Sequence, residues 1–180
     1  GLAMLALLPI AISFLKPYQK SRILTFLNPE RDPLGAGYQI IQSKIAIGSG
    51  GLFGKGFLNG SQSYLDYLPE KHTDFIYTLF SEEFGFFGSL FILLLYVLII
   101  FRIVRIGNMT RSNFGKLYCY SFATAFFMYV VVNMMMVLGL LPIVGSPLPI
   151  MSYGGSSMMA IMFGLGIVMS CKIYKDVPVN

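Results

Sequence analysis

The residues best suited to chemistry in this chain lie in one stretch, Leu65–Ile76, which concentrates acidic and basic side chains. The stretch follows a Gly-rich segment and precedes a long apolar run. The chain is 56% hydrophobic and only 12% charged, so a dense charged cluster calls for a functional explanation. We interpret it as a site at the surface of a bilayer, with Asp74 as a general base toward a hydroxyl group.

A helix over residues 73–83 would place Asp74, Thr78 and Glu82 on one face, because they are four residues apart. Asp74 would then occupy the first turn, where free backbone N–H groups stabilise an ionised carboxylate. Spacing alone leaves open the alternative that Asp74 caps the helix or pairs with Lys71.

The neighbouring Glu70, Lys71 and His72 are candidates for binding an anionic head group or for tuning Asp74. The alternative is a solvated rim. We predict no metal site, because the chain has one histidine and no HExxH pattern. The pair Glu82 and Glu83 is typical of ordinary interfacial residues.

The segment Gly48–Gly56 has the glycine content of a phosphate-binding loop but not the Walker A pattern. A pyrophosphate could still meet its backbone N–H groups and the ammonium group of Lys55. The alternative is a flexible hairpin.

Small and hydroxylated residues mark the beginning of the last apolar run, among them Ser152 and Ser156. Such residues allow close helix packing and hydrogen bonds between helices. The alternative is a broken helix that lines a polar cavity, in which Ser152 and Ser156 would bind the substrate. Asn133 lies in the middle of an apolar run, so we expect it to have a partner on another helix.

Several charge-free runs approach 20 residues, which predicts an all-α, polytopic helical membrane protein. The residues Leu117–Cys171 are too many for one span, and Pro142, Pro147 and Pro149 divide them. We expect full spans at about 84–101, 117–141 and 151–171, and the end of a truncated span at about 1–15.

Residues 16–83 carry seven basic and seven acidic side chains, and we predict that they form a large structured extracytoplasmic loop. Within it, Pro33–Ile47 has the pattern of an amphipathic helix on the membrane surface, ended by glycines at 48–51. Basic residues without acidic neighbours at 102–116 predict that this segment lies in the cytoplasm, and Lys172 and Lys175 predict the same for the residues after 171.

Four motifs resemble the C-terminal half of the SEDS family, named for shape, elongation, division and sporulation. They run in the family order over most of the chain: Asn28–Gln39, Gln42–Gly51, Leu68–Ile76 and Gly145–Ser156. The combination of Lys44 with the segment Gly48–Gly51 favours the elongation member over the division member.

The resemblance implies a ten-span glycosyltransferase that polymerises peptidoglycan from lipid II at the outer face of the bacterial inner membrane. The essential acidic residue of the family motif His72–Phe75 corresponds to Asp74. The family also uses polar residues of an N-terminal half, so we expect this chain to be a piece of a longer protein and activity to need the whole.

In the implied reaction, an acceptor sugar hydroxyl attacks the donor's anomeric carbon and undecaprenyl pyrophosphate leaves. Asp74 would take the proton, and Lys44, Lys55 or Lys71 would stabilise the leaving group. The resemblance leaves open whether a divalent cation such as Mg²⁺ takes part. The implied partner is a class B penicillin-binding protein, and no nucleic acid is expected.

Two other functions remain as alternatives. A lipid II flippase would be expected to bury ionisable residues in its spans, and residues 84–101 and 117–171 carry none. A noncatalytic scaffold for a penicillin-binding protein would keep polymer synthesis when Asp74 is replaced.

Overall fold

The computed structural model describes residues 16–28, 35–60 and 73–175, and in these ranges the only regular elements are helices. The predicted all-α class is therefore confirmed for these ranges. The predicted truncated span at 1–15 lies outside the described residues. The helices, in chain order, are α1 (Pro17–Leu27), α2 (Ala36–Gly50), α3 (Ile76–Met109), α4 (Asn113–Val137) and α5 (Gly155–Ile173).

Three helices, α3, α4 and α5, are long and apolar enough to cross a membrane. Contacts along the helices show that α4 runs antiparallel to both neighbours: Gly107 of α3 lies beside Cys119, and Gly115 and Phe122 of α4 lie beside Cys171 and Gly164 of α5. The beginning of α3, the end of α4 and the beginning of α5 therefore lie at one end of the bundle. At 1.5 Å per residue, α4 reaches about 37 Å and α5 about 28 Å, close to the ~30 Å of a bilayer core.

The three predicted spans exist, but their bounds differ from the prediction. The helix α4 begins at Asn113 and not at residue 117, because the Ser112 hydroxyl accepts a hydrogen bond from Gly115 N and caps the helix. It ends at Val137 and not at residue 141, because the backbone turns at Gly139, whose φ is 67°. The apolar pattern misplaced the beginning because it stops at Lys116, whereas the helix extends past this long basic side chain.

The helix α2 packs against α3 and α4. Its predicted position on the membrane surface stays a prediction. The helix buries Ile40, Ser43 and Ala46. The Ser43 hydroxyl bonds with Thr78 Oγ1 at 3.0 Å and donates to Val137 O at 2.6 Å. The predicted bounds were wrong, because the helix continues through the glycines at 48–50.

The helix α3 is broken at Gly85, where φ is 66° and ψ is −160°. That conformation is open to glycine and strained for other residues. A break of this kind removes the usual i to i−4 hydrogen bonds on both sides of it. The part that crosses the membrane is therefore residues 86–109, about 36 Å long.

The Gly-rich segment 51–56 replaces the hydrogen bonds that the break removes. Lys55 N and Gly56 N donate to the carbonyl oxygens of Glu82 and Glu83, at 3.1 and 3.0 Å. In return, the amides of residues 86 and 87 donate to the carbonyl oxygens of residues 51 and 52, at 2.9 and 3.2 Å. The two backbones lie so close that a Cβ at Gly54 would be 2.1 Å from Glu83 O. This segment is thus a structural partner of α3.

The close contact between α2 and α3 predicts opposite effects for two glycines of α2. A Cβ at Gly50 would lie 2.2 Å from Ser81 O, whereas a Cβ at Gly48 would meet nothing within 4 Å. Gly50→Ala should therefore lower the free energy of unfolding by about 1–3 kcal/mol. Gly48→Ala should be neutral or stabilise by up to about 1 kcal/mol, because alanine favours a helix. Melting temperatures of the full-length variants in detergent test this, and equal values would contradict the close contact.

Candidate functional site

A polar cavity of about 490 Å³ lies at the end of the bundle where α3 and α5 begin. It brings the predicted site residues Asp74 and Ser156 together with Arg22 of α1. Its other lining residues come from α2, from the turn before α3 and from the segment between α4 and α5: Gln39, Thr73, Phe75, Ile143, Gly145, Pro147, Tyr153, Gly154 and Ser157.

Asp74 lies in the turn before α3 and not in its first helical turn, as the sequence had suggested. The helix begins at Ile76, and Phe75 occupies the N-cap position without a capping side chain. The carboxylate points toward Gly145, where a Cβ would lie 3.5 Å from Asp74 Oδ2. The sequence correctly placed Thr78 and Glu82 on one face of α3, and both are fully buried there.

Side chains from α4 and from the segment before α5 hold the backbone on each side of Asp74. The buried amide of Asn133 donates from Nδ2 to Asp74 O at 2.9 Å and to Ser146 O at 2.7 Å. The Ser152 hydroxyl donates to Thr73 O at 2.6 Å. The prediction of a partner on another helix is wrong in detail, because the two acceptors of Asn133 lie in the turn before α3 and in the segment after α4. These contacts fix the turn that carries the carboxylate.

Two buried polar atoms next to these contacts, Asn133 Oδ1 and Ser146 Oγ, have no hydrogen-bond partner among the described residues. Buried polar atoms in this condition are destabilising. Any water or ligand group that reached them would stabilise this part of the structure.

Arg22 is the residue of the cavity that sequence reasoning missed. Its Nη1 donates to Ile143 O at 2.7 Å and so ties α1 to the segment after α4. A single arginine in a loop of balanced charge gives no local signal, and only the contact across 121 residues reveals it. The guanidinium supplies a permanent positive charge to the cavity that contains Asp74.

The segment between α4 and α5 lines the polar cavity, but as an irregular connection and not as the broken helix of the predicted alternative. Within it, Ile150 has a φ of 69°, a strained value for a β-branched residue. The segment is held by Tyr96 Oη, which donates to Pro149 O at 2.6 Å, and by Leu148 N, which donates to Ser152 Oγ at 2.6 Å. These two contacts satisfy Pro149 O and Leu148 N within the irregular backbone.

Lys55 does not line the cavity. Its ammonium group is 2.8 Å from Glu82 Oε1, and the Ser49 hydroxyl donates to the same oxygen at 3.4 Å. Glu82 is completely buried, so the expectation that it is an ordinary interfacial residue is wrong. The predicted pyrophosphate contacts of segment 48–56 are not available either, because Lys55 N and Gly56 N already donate to α3.

The other predicted binding residues do not line the described cavity. Lys44 is exposed on α2, and a Cβ at Gly139 would lie 2.8 Å from its ammonium nitrogen. Ser152 is buried, and its hydroxyl serves the backbone contacts given above. Three further predicted binding residues lie outside the described residues: Glu70, Lys71 and His72.

An apolar cavity of about 450 Å³ adjoins the polar one along α4 and α5. The two share Pro147, Ser156 and Ser157 as lining residues. The apolar cavity is lined mainly by aromatic and aliphatic side chains, including Phe122 and Ile161. The arrangement fits a molecule with a polar head and a long apolar tail.

No group of three or more His, Cys, Asp or Glu side chains suited to a metal ion occurs within residues 16–28, 35–60 and 73–175. Three potential ligands of the charged stretch lie outside these ranges: Asp66, Glu70 and His72.

A family model described as "Cell cycle protein", which covers FtsW, RodA and SpoVE, matches residues 1–176. Because the match covers nearly all of the 180 residues, the chain belongs to the FtsW/RodA/SpoVE family. The resemblance to the SEDS family is thereby confirmed, as is the membrane-protein class.

Individual relatives are similar over nearly the whole chain. The chain is 52% identical to the peptidoglycan glycosyltransferase MrdB of Escherichia coli strain K12, over 94% of this chain and 46% of the relative. It is 46% identical to the peptidoglycan glycosyltransferase RodA of Treponema pallidum, over 89% of this chain and 37% of the relative. The chain thus spans less than half the length of these relatives.

A solved structure of a peptidoglycan synthase complex contains a chain with the same fold. The TM-score is 0.74 and the identity 38%, over 97% of this chain and 48% of the other. That complex was described in terms of the structural coordination of polymerization and crosslinking.

The buried ion pair predicts a large cost for removing its cation. Lys55→Met leaves the Glu82 carboxylate buried without Lys55, and the free energy of unfolding should fall by about 3 kcal/mol. This value is the low end of the usual cost of breaking a buried ion pair, because the Lys55 side chain is 31% exposed. Lys44→Met is the control, since Lys44 forms no ion pair with a described residue. Melting temperatures in detergent would contradict the prediction if both variants behaved alike.

Asn133 should be required for the stability of the turn that carries Asp74. Asn133→Leu keeps the volume but removes the donors to Asp74 O and Ser146 O, and we expect a loss of about 2 kcal/mol. Thr124→Val is the control on the same helix, because the exposed Thr124 hydroxyl donates only to its own helix. Thermal unfolding of both full-length variants is the measurement. A loss of stability in Thr124→Val but not in Asn133→Leu would contradict the role of Asn133 in stabilising this turn.

Proposed function

We propose that the protein to which this chain belongs is a peptidoglycan glycosyltransferase that polymerises glycan strands from lipid II. The observation that carries the proposal is the polar cavity that contains Asp74 and opens beside an apolar cavity along α4 and α5. Lipid II has a sugar–pyrophosphate head and a long isoprenoid tail, which match the two cavities. The relatives named as peptidoglycan glycosyltransferases support the same reaction.

In the proposed step, a hydroxyl oxygen of the acceptor sugar attacks the anomeric carbon of the donor. The bond between that carbon and the pyrophosphate oxygen breaks, and undecaprenyl pyrophosphate leaves with the bonding electron pair. The Asp74 carboxylate takes the proton from the attacking hydroxyl as general base. The reaction needs no nucleotide, because the donor already carries a pyrophosphate leaving group.

Arg22 is the described cation best placed to stabilise the leaving pyrophosphate, since it lines the same cavity as Asp74. A guanidinium group matches the geometry of phosphate oxygens and keeps its charge at any physiological pH. We propose this role for Arg22 in place of Lys55, whose ammonium group contacts Glu82. Lys71 and a divalent cation such as Mg²⁺ remain proposed contributors, with Lys71 outside the described residues.

The distribution of charge supports an outward-facing cavity in the bacterial inner membrane. An excess of basic residues lies at the end of the spans opposite Asp74, and segments rich in lysine and arginine remain on the cytoplasmic side. We further propose a role in cell elongation and a class B penicillin-binding protein as partner, which the similarity to a chain of a peptidoglycan synthase complex supports. The basic residues are Arg102, Arg105, Arg111, Lys116, Lys172 and Lys175.

The deciding experiment is polymerisation of labelled lipid II by the full-length protein with its penicillin-binding partner. Asp74→Asn keeps the side-chain volume and removes the base, so the rate should fall by about 100-fold or more. Glu83→Gln is the matched control, because it removes a carboxylate that does not line the cavity. Both variants should retain wild-type melting temperatures and partner binding.

Unchanged polymer synthesis by Asp74→Asn would contradict the role of Asp74 and favour the scaffold function. Activity of the wild-type protein that persists after treatment with EDTA would contradict the proposed divalent cation.

A further inference from the structure

The end of the bundle opposite Asp74 contains a basic cleft of about 210 Å³ between α3 and α5. Four cationic side chains line it, two from each helix end: Arg102, Arg105, Lys172 and Lys175. The cleft is held in shape by Arg111 N, which donates to Lys175 O at 2.9 Å and ties the α3–α4 connection to the end of α5.

No carboxylate compensates these charges within the described residues. The sequence has no acidic residue between Glu83 and Asp176, and none of the four cations forms an ion pair with a described residue. Four like charges so close together repel one another, so the cleft gains stability from an anion.

The basic cleft opens directly into an apolar groove of about 600 Å³ between the same two helices. Arg102, Arg105 and Ile106 line both, and therefore the groove and the cleft form one continuous surface. Toward the middle of the bundle the groove is lined by aliphatic side chains such as Leu98 and Leu165. Its polar end and apolar length match the two parts of a phospholipid.

We propose that this surface binds an anionic phospholipid, with the phosphates in the basic cleft and the acyl chains in the groove between α3 and α5. Basic pockets between membrane helices are suited to such head groups, and each lysine or arginine near a membrane surface contributes to the attraction. A headgroup with two phosphates would neutralise more of the four positive charges than a headgroup with one phosphate. The site is separate from the Asp74 cavity, which lies at the other end of the spans, and does not depend on the proposed reaction.

The groove distinguishes a lipid from a free anion. Inorganic phosphate would use the four cations alone, whereas a lipid also buries acyl chains against Leu98, Leu165 and Met169. A variant that fills the groove should therefore weaken lipid binding without changing the charge of the cleft. Met169→Trp is suitable, because Met169 is half exposed and lines the groove.

The test is a titration of the full-length protein with cardiolipin, followed by native mass spectrometry in detergent, with zwitterionic phosphatidylethanolamine, whose net charge is zero, as the comparison. The double variant Arg102→Gln/Arg105→Gln should bind cardiolipin roughly 30-fold more weakly. The double variant Arg102→Lys/Arg105→Lys should restore most of the affinity, which separates charge from packing. The control Arg111→Gln/Lys116→Gln removes two charges from the same end of the bundle but not from the cleft.

The proposal is supported if only the cleft variant and Met169→Trp lose cardiolipin and millimolar phosphate does not displace it. Four results would overturn it. They are wild-type affinity in the cleft variant, an equal loss in the control variant, equal binding of phosphatidylethanolamine, or no retained lipid at all. The last result would show that the remaining part of the full-length protein covers the groove.

Discussion

The structure depends on the need to satisfy the backbone polar groups at the break in α3. The break at Gly85 frees carbonyl and amide groups on both sides, and such groups are costly when they are left without a partner. The Gly-rich segment 51–56 supplies four backbone hydrogen bonds at this point. The nearby pair of Lys55 and Glu82 adds a charged contact. Because these contacts join α2 to α3, they also set where the turn before α3 can lie.

In the candidate site, residues that are distant in the chain fix the backbone on each side of Asp74. Asn133 of α4 donates to the carbonyl oxygen of Asp74. Ser152, in the irregular segment before α5, donates to the carbonyl oxygen of Thr73. A carboxylate on such a turn needs little rearrangement to meet a substrate. Arg22 brings the opposite charge from a fourth part of the chain.

The sequence predicted what local composition encodes. Apolar runs revealed three spans, and the density of charge singled out Asp74. Burial of Glu82 was missed because its partner Lys55 is 27 residues away, and apolar periodicity contains no information about ion pairs. The segment that restores the hydrogen bonds at the Gly85 break is identified only by long-range hydrogen bonds. Arg22 was missed for the same reason, since its contact partner lies after α4.

The contacts of Asn133 have a consequence for the order in which the protein is made. Its two partners lie on opposite sides of it in the chain, 59 residues before and 13 residues after. During synthesis, α4 therefore leaves the ribosome before Ser146, and the Ser152 contact to Thr73 comes later still. The Asn133 side chain therefore enters the membrane before its partner Ser146 has been synthesised. A stall or truncation between residues 137 and 146 would leave inserted spans with an unfinished site, which makes this interval a point for membrane quality control.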